Sequence, residues 1–198
     1  MKRMYEVELK VPAAHETVRD RLESMELSRE TYVEQTDTYY DAPHREFAET
    51  DEALRIRRVR RLDSGNNDGM GNANGREEDD CVTLTYKGPL VDDTSKTREE
   101  RETDVIDGEE LAGILTSLGF EPAATVEKRR EVFTVDGYTV TLDDVSELGE
   151  FVEVEGEAEQ ADLETVREGA FEVLESIGLD PDDGIRTSYL ELLLEPNP

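Results

Sequence analysis

Alternation with a period of two runs through most of this 198-residue chain, and it limits the fold more than any other signal in it. In an extended segment successive side chains point to opposite faces. Residues 5–10 (Tyr-Glu-Val-Glu-Leu-Lys) therefore put Glu6, Glu8 and Lys10 on one face, with Val7 and Leu9 on the other. The same pattern predicts strands near 3–11, 31–41, 52–61, 81–88, 97–106, 125–135, 137–145 and 148–157. Helical spacing takes over in three places: 13–27, with Val18, Leu22 and Met25 on one face behind Pro12; 108–118, stopped by Gly119; and 162–177, stopped by Gly178. The segment Ser188–Glu195 reads as a short last helix. Eight strands with a few helices point to an α+β chain built on an antiparallel barrel or a strongly curved sheet.

The polar faces of these strands are selective. Arg55 and Arg57 share a face, as do Thr83, Thr85 and Lys87; Arg98, Glu100 and Glu102; Lys128 and Arg130; Thr139, Thr141 and Asp143; and Phe151, Glu153 and Glu155. Any one such row would ordinarily be the solvated side of a sheet. Seven of them in one chain suggest that the rows face each other, because a barrel of about eight strands encloses room for side chains or one small ligand.

Residues 63–80 are rich in Gly, Asn and Asp and offer almost nothing to bury, so they cannot offset the entropy of ordering. Strand patterns continue on both sides. We read 1–198 as one domain with a flexible hairpin insertion at about 63–80.

Composition removes several functions. Asp and Glu number 51 against 22 Lys and Arg, a formal charge of -29, which opposes nucleic acid and anionic membranes as partners. No run approaches the roughly 18 apolar residues of a membrane span, and the N-terminus lacks the apolar core of a signal peptide. A cytoplasmic protein is expected. The basic residues are 17 Arg and 5 Lys, a skew that together with the acidity suggests adaptation to high salt. Cys81 is the only cysteine, which leaves no internal disulfide and no Cys/His metal spacing. His15 and His44 are expected at the surface, and neither a P-loop nor a dinucleotide fingerprint is present.

Carboxylates and cations confined in one site suit a metal-bound polyphosphate. Mg²⁺ or Mn²⁺ would take oxygen ligands from Glu6, Glu8, Asp143, Glu153 and Glu155. Lys10, Arg55, Arg57, Lys87, Lys128 and Arg130 would cradle the phosphates, Arg by bidentate contact and Lys as point charge. Lys10, Lys87 and Lys128 all lie on these rows, in a chain that otherwise avoids lysine.

The Glu-Val-Glu-Leu-Lys at 6–10 resembles the ExExK signature of the CYTH, or triphosphate tunnel metalloenzyme, superfamily, which includes class IV adenylate cyclases and thiamine triphosphatases. The likeness continues through Gln35–Asp41, Leu54–Arg57, Leu84–Pro89, Val126–Arg130, Leu142–Glu155 and Thr187–Leu193. It implies a closed eight-stranded antiparallel tunnel holding a triphosphate, with Glu6, Glu8 and Lys10 as the catalytic set and Asp143, Glu153 and Glu155 as a facing acidic wall. It also implies a phosphate contact from Arg186. The tunnel would then hold seven cations against five carboxylates. Three activities follow as alternatives: conversion of ATP to cyclic AMP and pyrophosphate, which the spacing of the later motifs favours; hydrolysis of tripolyphosphate, a nucleoside triphosphate or thiamine triphosphate; or binding of polyphosphate or nucleotide without turnover. Members of the superfamily are often dimeric, which admits a homodimer; the sequence itself carries no interface signature.

Overall fold

The computed structural model describes residues 4–63, 81–91 and 96–194. Eight strands, β1 (Met4–Pro12), β2 (Thr31–Asp41), β3 (Ala53–Arg61), β4 (Cys81–Leu90), β5 (Lys96–Asp104), β6 (Glu121–Val135), β7 (Tyr138–Val145) and β8 (Gly149–Glu159), close into a barrel. Their order around it is β1-β5-β4-β3-β2-β6-β7-β8, and every neighbouring pair is antiparallel. The choice between barrel and curved sheet thus resolves to the closed eight-stranded antiparallel barrel. Among the described residues four α-helices flank it: α1 (His15–Ser24), α2 (Gly108–Ser117), α3 (Leu163–Ser176) and α4 (Tyr189–Leu194). The expected insertion lies, beyond Asp63, outside the described residues; Asp63 itself accepts from the backbone N–H of Tyr32 at 3.1 Å.

The barrel is apolar outside and charged within. Leu9 and Val11 of β1, Val140 and Leu142 of β7 and Val152 and Val154 of β8 point outward and are buried against Val18 and Leu22 of α1 and Ala170, Val173 and Leu174 of α3. Fully burying each such aliphatic side chain is worth about 1.5–3 kcal/mol, so the hydrophobic core lies between barrel and helices. A second core forms on the other side, where Ile56 and Tyr40 meet Leu115 of α2. The helix spacing in the sequence thus marks the covers of the barrel, and the alternation marks its wall.

Tyr138 fixes how closely α3 approaches this wall. Its hydroxyl donates to the carbonyl of Val166 at 3.0 Å. A Cβ on Gly169 would come to 2.1 Å from that hydroxyl oxygen, and one on Gly156 to 2.9 Å from the ring. Alanine in a helix interior normally stabilises relative to glycine by roughly 0.5–1 kcal/mol; here the sign should reverse. Gly169→Ala is expected to destabilise by about 1–3 kcal/mol through overpacking, read as a lowered melting temperature, and a raised one would show that Tyr138 is free to move aside.

His15 departs from its expected surface position. It is buried at the start of α1, its Nε2 lies 3.0 Å from the carbonyl oxygen of Phe151, and its backbone N–H donates to Glu150 at 3.0 Å. Three residues after β1 the chain must turn beneath the β7–β8 hairpin, and the imidazole joins the two. His44 is exposed, as expected. No described helix is long and apolar enough to cross a membrane.

Candidate active site in the barrel interior

Registers across the barrel bring the inward faces together around a cavity of about 650 Å³. Its lining includes Glu6, Glu8 and Lys10 of β1, Arg55 and Arg57 of β3, Lys87 of β4, Lys128 and Arg130 of β6, and Glu153 and Glu155 of β8. These faces become apolar toward one end. There Val126, Val145 and Phe151 meet Tyr189 of α4, whose hydroxyl donates to Asp143 at 3.1 Å. A reciprocal cap holds this short helix: Ser188 N–H donates to Glu191 at 2.6 Å, and Glu191 N–H to Ser188 Oγ at 3.1 Å.

One charged group spans β1, β6, β7 and β8. Lys10 Nζ bridges Glu8 at 3.2 Å and Glu153 at 3.1 Å, and lies 4.2 Å from the centre of the Tyr189 ring. Arg130 donates to both oxygens of Asp143 at 2.6 Å, to Glu153, and to Glu155 at 3.5 Å. Lys128 adds a bond to Asp143 at 2.8 Å. The carboxylates of Glu8, Glu153 and Glu155 each place an oxygen within 4.8 Å of the others. Burial, with the like charges of Glu6, Glu153 and Glu8 nearby, pushes the Glu155 carboxyl up to about 8 despite Arg130.

A second group faces it from β2–β5. Lys87 Nζ lies 2.8 Å from both Glu6 and Glu100, and Arg57 grips Asp37 through two bonds of 2.7 Å. Arg55 stands 3.4 Å from Asp37 and 3.8 Å from Glu100. Glu100 and Glu6, on either side of Lys87, shift in opposite directions. Burial and the neighbouring Glu6 push Glu100 up to about 7, while Lys87 holds Glu6 well below the usual range against the effect of its burial.

Some of the expected site residues stand apart from the rest. Asp143 is fully buried and is not among the residues lining the cavity; Arg130, Lys128 and Tyr189 take its oxygens. Arg186 is exposed and does not line the cavity either, because the residue of that segment that turns inward is Tyr189. Glu6 stands with Lys87 and Glu100, outside the close trio of Glu8, Glu153 and Glu155. Among the described residues the whole lining holds eight Lys and Arg against thirteen Asp and Glu, a wider and more acidic set than the seven cations and five carboxylates expected. Sequence reasoning missed Asp37, Lys96 and Tyr189, and passed over Arg98 and Glu100 although they lie on an alternating row.

That acidic excess bears on a metal. Glu8 and Glu153 are buried and Glu155 partly so; Lys10 and Arg130 answer part of the charge of the three carboxylates, and a divalent cation among them would answer the rest. Hard oxygen donors of this kind fit Mg²⁺ or Mn²⁺, and Glu8, Glu153 and Glu155 are the residues that would hold one.

Comparison with known proteins follows the same outline. The family model described as CYTH domain matches residues 4–189. A Methanocaldococcus jannaschii protein named "Putative adenylate cyclase MJ0240" is 36% identical over 159 residues, 80% of each chain. Among solved structures, PH1819 from Pyrococcus horikoshii is 37% identical with a TM-score of 0.81, covering 96% of this chain and 98% of that one. "Putative adenylyl cyclase HpAC1" from Hippeastrum, said to reveal a dominant triphosphatase activity, is 19% identical with a TM-score of 0.56 over 89% and 88% of the two chains; at that identity it speaks for the fold alone.

Proposed function

Because this chain belongs to the CYTH domain family, we propose that it is a divalent-metal-dependent enzyme that holds a triphosphate inside the barrel, and that its reaction is conversion of ATP to cyclic AMP and pyrophosphate. The observation that carries the first part is the facing of the Glu8–Glu153–Glu155 trio by Arg55, Arg57 and Lys87 across one enclosed cavity. Bound there, Mg²⁺ or Mn²⁺ would neutralise phosphate charge and lower the barrier to deprotonating a hydroxyl or water. Lys10, Arg55, Lys87 and Arg130 would orient the phosphate oxygens, already fixed in place by their carboxylate partners.

Apolar and aromatic residues in the lining favour a nucleotide over bare polyphosphate. Tyr39, Phe47, Leu54 and Leu190 border the cavity and offer a nucleoside something to pack against. In the cyclase reaction the ribose 3′-oxygen forms a bond to the α-phosphorus, the bond from that phosphorus to the α–β bridging oxygen breaks, and pyrophosphate leaves as the hydroxyl proton is lost. Hydrolysis is the second reading, favoured by the fact that the charged groups alone suffice for a triphosphate. Water would then form a bond to the terminal phosphorus, the bond from that phosphorus to its bridging oxygen would break, and the diphosphate portion would leave as orthophosphate forms and the water proton is lost.

Incubation in high salt with Mg²⁺ or Mn²⁺ and ATP, tripolyphosphate or thiamine triphosphate separates the readings. Cyclic AMP with pyrophosphate supports the cyclase, orthophosphate alone supports the hydrolase, and binding without any product would overturn both. Arg55→Ala is expected to raise KM for the triphosphate about tenfold by removing a buried guanidinium. An unchanged KM would mean that Arg55 serves only Asp37 and Glu100.

A further inference from the structure

Four of the five lysines fall within the described residues, and all four line the cavity. Three lie on the rows marked by alternation. The fourth, Lys96, opens β5 two residues before Arg98, and across the β1–β5 ladder Lys96 stands opposite Glu8 and Arg98 opposite Glu6. Both cations therefore project into the barrel beside the acidic wall, and they are only 3% and 4% exposed.

Burying two cations this completely is costly unless well-placed anions answer them. Their partners among the described residues are poor. Lys96 Nζ lies 3.5 and 3.4 Å from the two carboxylate oxygens of Asp51 and 3.5 Å from Glu191, against about 2.7–2.9 Å for a good charge-assisted bond. Arg98 makes one short bond, from Nη1 to the backbone oxygen of Asp51 at 2.7 Å, with an Asp51 carboxylate oxygen at 3.7 Å. Its buried Nε has no hydrogen-bond partner among the described residues. Asp51 reaches this position from the loop between β2 and β3, with a half-exposed side chain and a left-handed backbone (φ 55°), a conformation that aspartate tolerates at some cost.

We propose that Lys96 and Arg98 form an anion subsite for the terminal phosphate of a phosphate chain, and that Asp51 is an internal stand-in which the incoming phosphate displaces. A phosphate brings three oxygens and more charge than one carboxylate, so it can bond Arg98 through the Nε and Nη2 edge and close on Lys96 at the same time. The loop is released when Asp51 gives way, so occupancy of the subsite and position of the β2–β3 loop are linked. This assignment rests on the triphosphate reading above.

Titration calorimetry with inorganic tripolyphosphate, with and without Mg²⁺, tests it on the whole chain. Lys96→Gln is expected to weaken binding about tenfold, and Asp51→Asn to tighten it about threefold or more by removing the competing charge. If the wild-type protein binds tripolyphosphate and Lys96→Gln binds it equally well, the subsite is wrong while the triphosphate reading stands. If the wild type binds none, both fall. Weaker binding in both variants would overturn the displacement by Asp51, since it would make that residue a support for the site and not a competitor.

Discussion

Glu155→Gln is expected to lower metal-dependent turnover by about 10²–10³-fold without weakening the metal-free fold. The reason lies in the sign of its titration. Burial and neighbouring carboxylates push the group up to about 8 from an ordinary value of 4.5, so the folded state binds its proton more tightly than the unfolded one. Its contribution to stability is therefore largest at low pH and is lost as pH rises from about 4.5 to about 8. Glutamine resembles the protonated acid and escapes that loss, so the metal-free variant should melt at or above the wild-type temperature at pH 8. Mg²⁺ or Mn²⁺ should raise the melting temperature of the wild type, most clearly at alkaline pH where the carboxylates are ionised, by the linkage RT ln(1 + [M]/Kd). That increment should shrink or vanish in the variant. An increment equal in both proteins would remove Glu155 from the metal site.

The inward set was readable to an unusual extent because alternation assigns each residue to a face, and a barrel needs only that assignment to gather its charges. Arg55 and Arg57, or Glu153 and Glu155, needed no tertiary information beyond parity. Which face turned inward was a collective property: one row of charges is solvated by default, and only the repetition over seven strands argued otherwise. Parity carries no depth, however. Asp143 shares a face with residues that line the cavity, yet its place in the register, opposite Arg130, buries it beneath that guanidinium. Asp37 was passed over because Gln35-Thr36-Asp37-Thr38-Tyr39 is polar on both faces, so nothing marked one face as inner. Tyr189 lies in a short last helix whose pattern does not say which residue turns inward, and Asp51 belongs to a loop whose position no periodicity describes. Lys96 follows immediately on four residues outside the described chain and begins its strand there, one residue ahead of the alternating segment as read from sequence.

The revised position of Asp143 makes a prediction opposite to that for Glu155. Lys128 and Arg130 are buried and direct three bonds of 2.6–2.8 Å at this one carboxylate. Burial alone would raise its pKa, but Arg130 and Lys128 outweigh that and lower it below 3.8. A depressed carboxylate contributes stability that is complete above the unfolded value, near pH 4, and that disappears as pH falls through the folded value. Asp143→Asn removes the charge at every pH, takes from Lys128 the carboxylate it bonds and leaves Arg130 with Glu153 and Glu155 alone, a loss of about 3–5 kcal/mol. For a chain of this size that corresponds to a melting temperature lower by about 10 °C or more at pH 7, with a flatter acid limb because one of the groups that titrates it is gone. Metal affinity, measured below the melting transition, should change far less than in Glu155→Gln. A variant that keeps its melting temperature but binds Mn²⁺ tenfold more weakly would return Asp143 to the ligand set, and the cations around it would then have to be balanced by metal and substrate instead of by the fold.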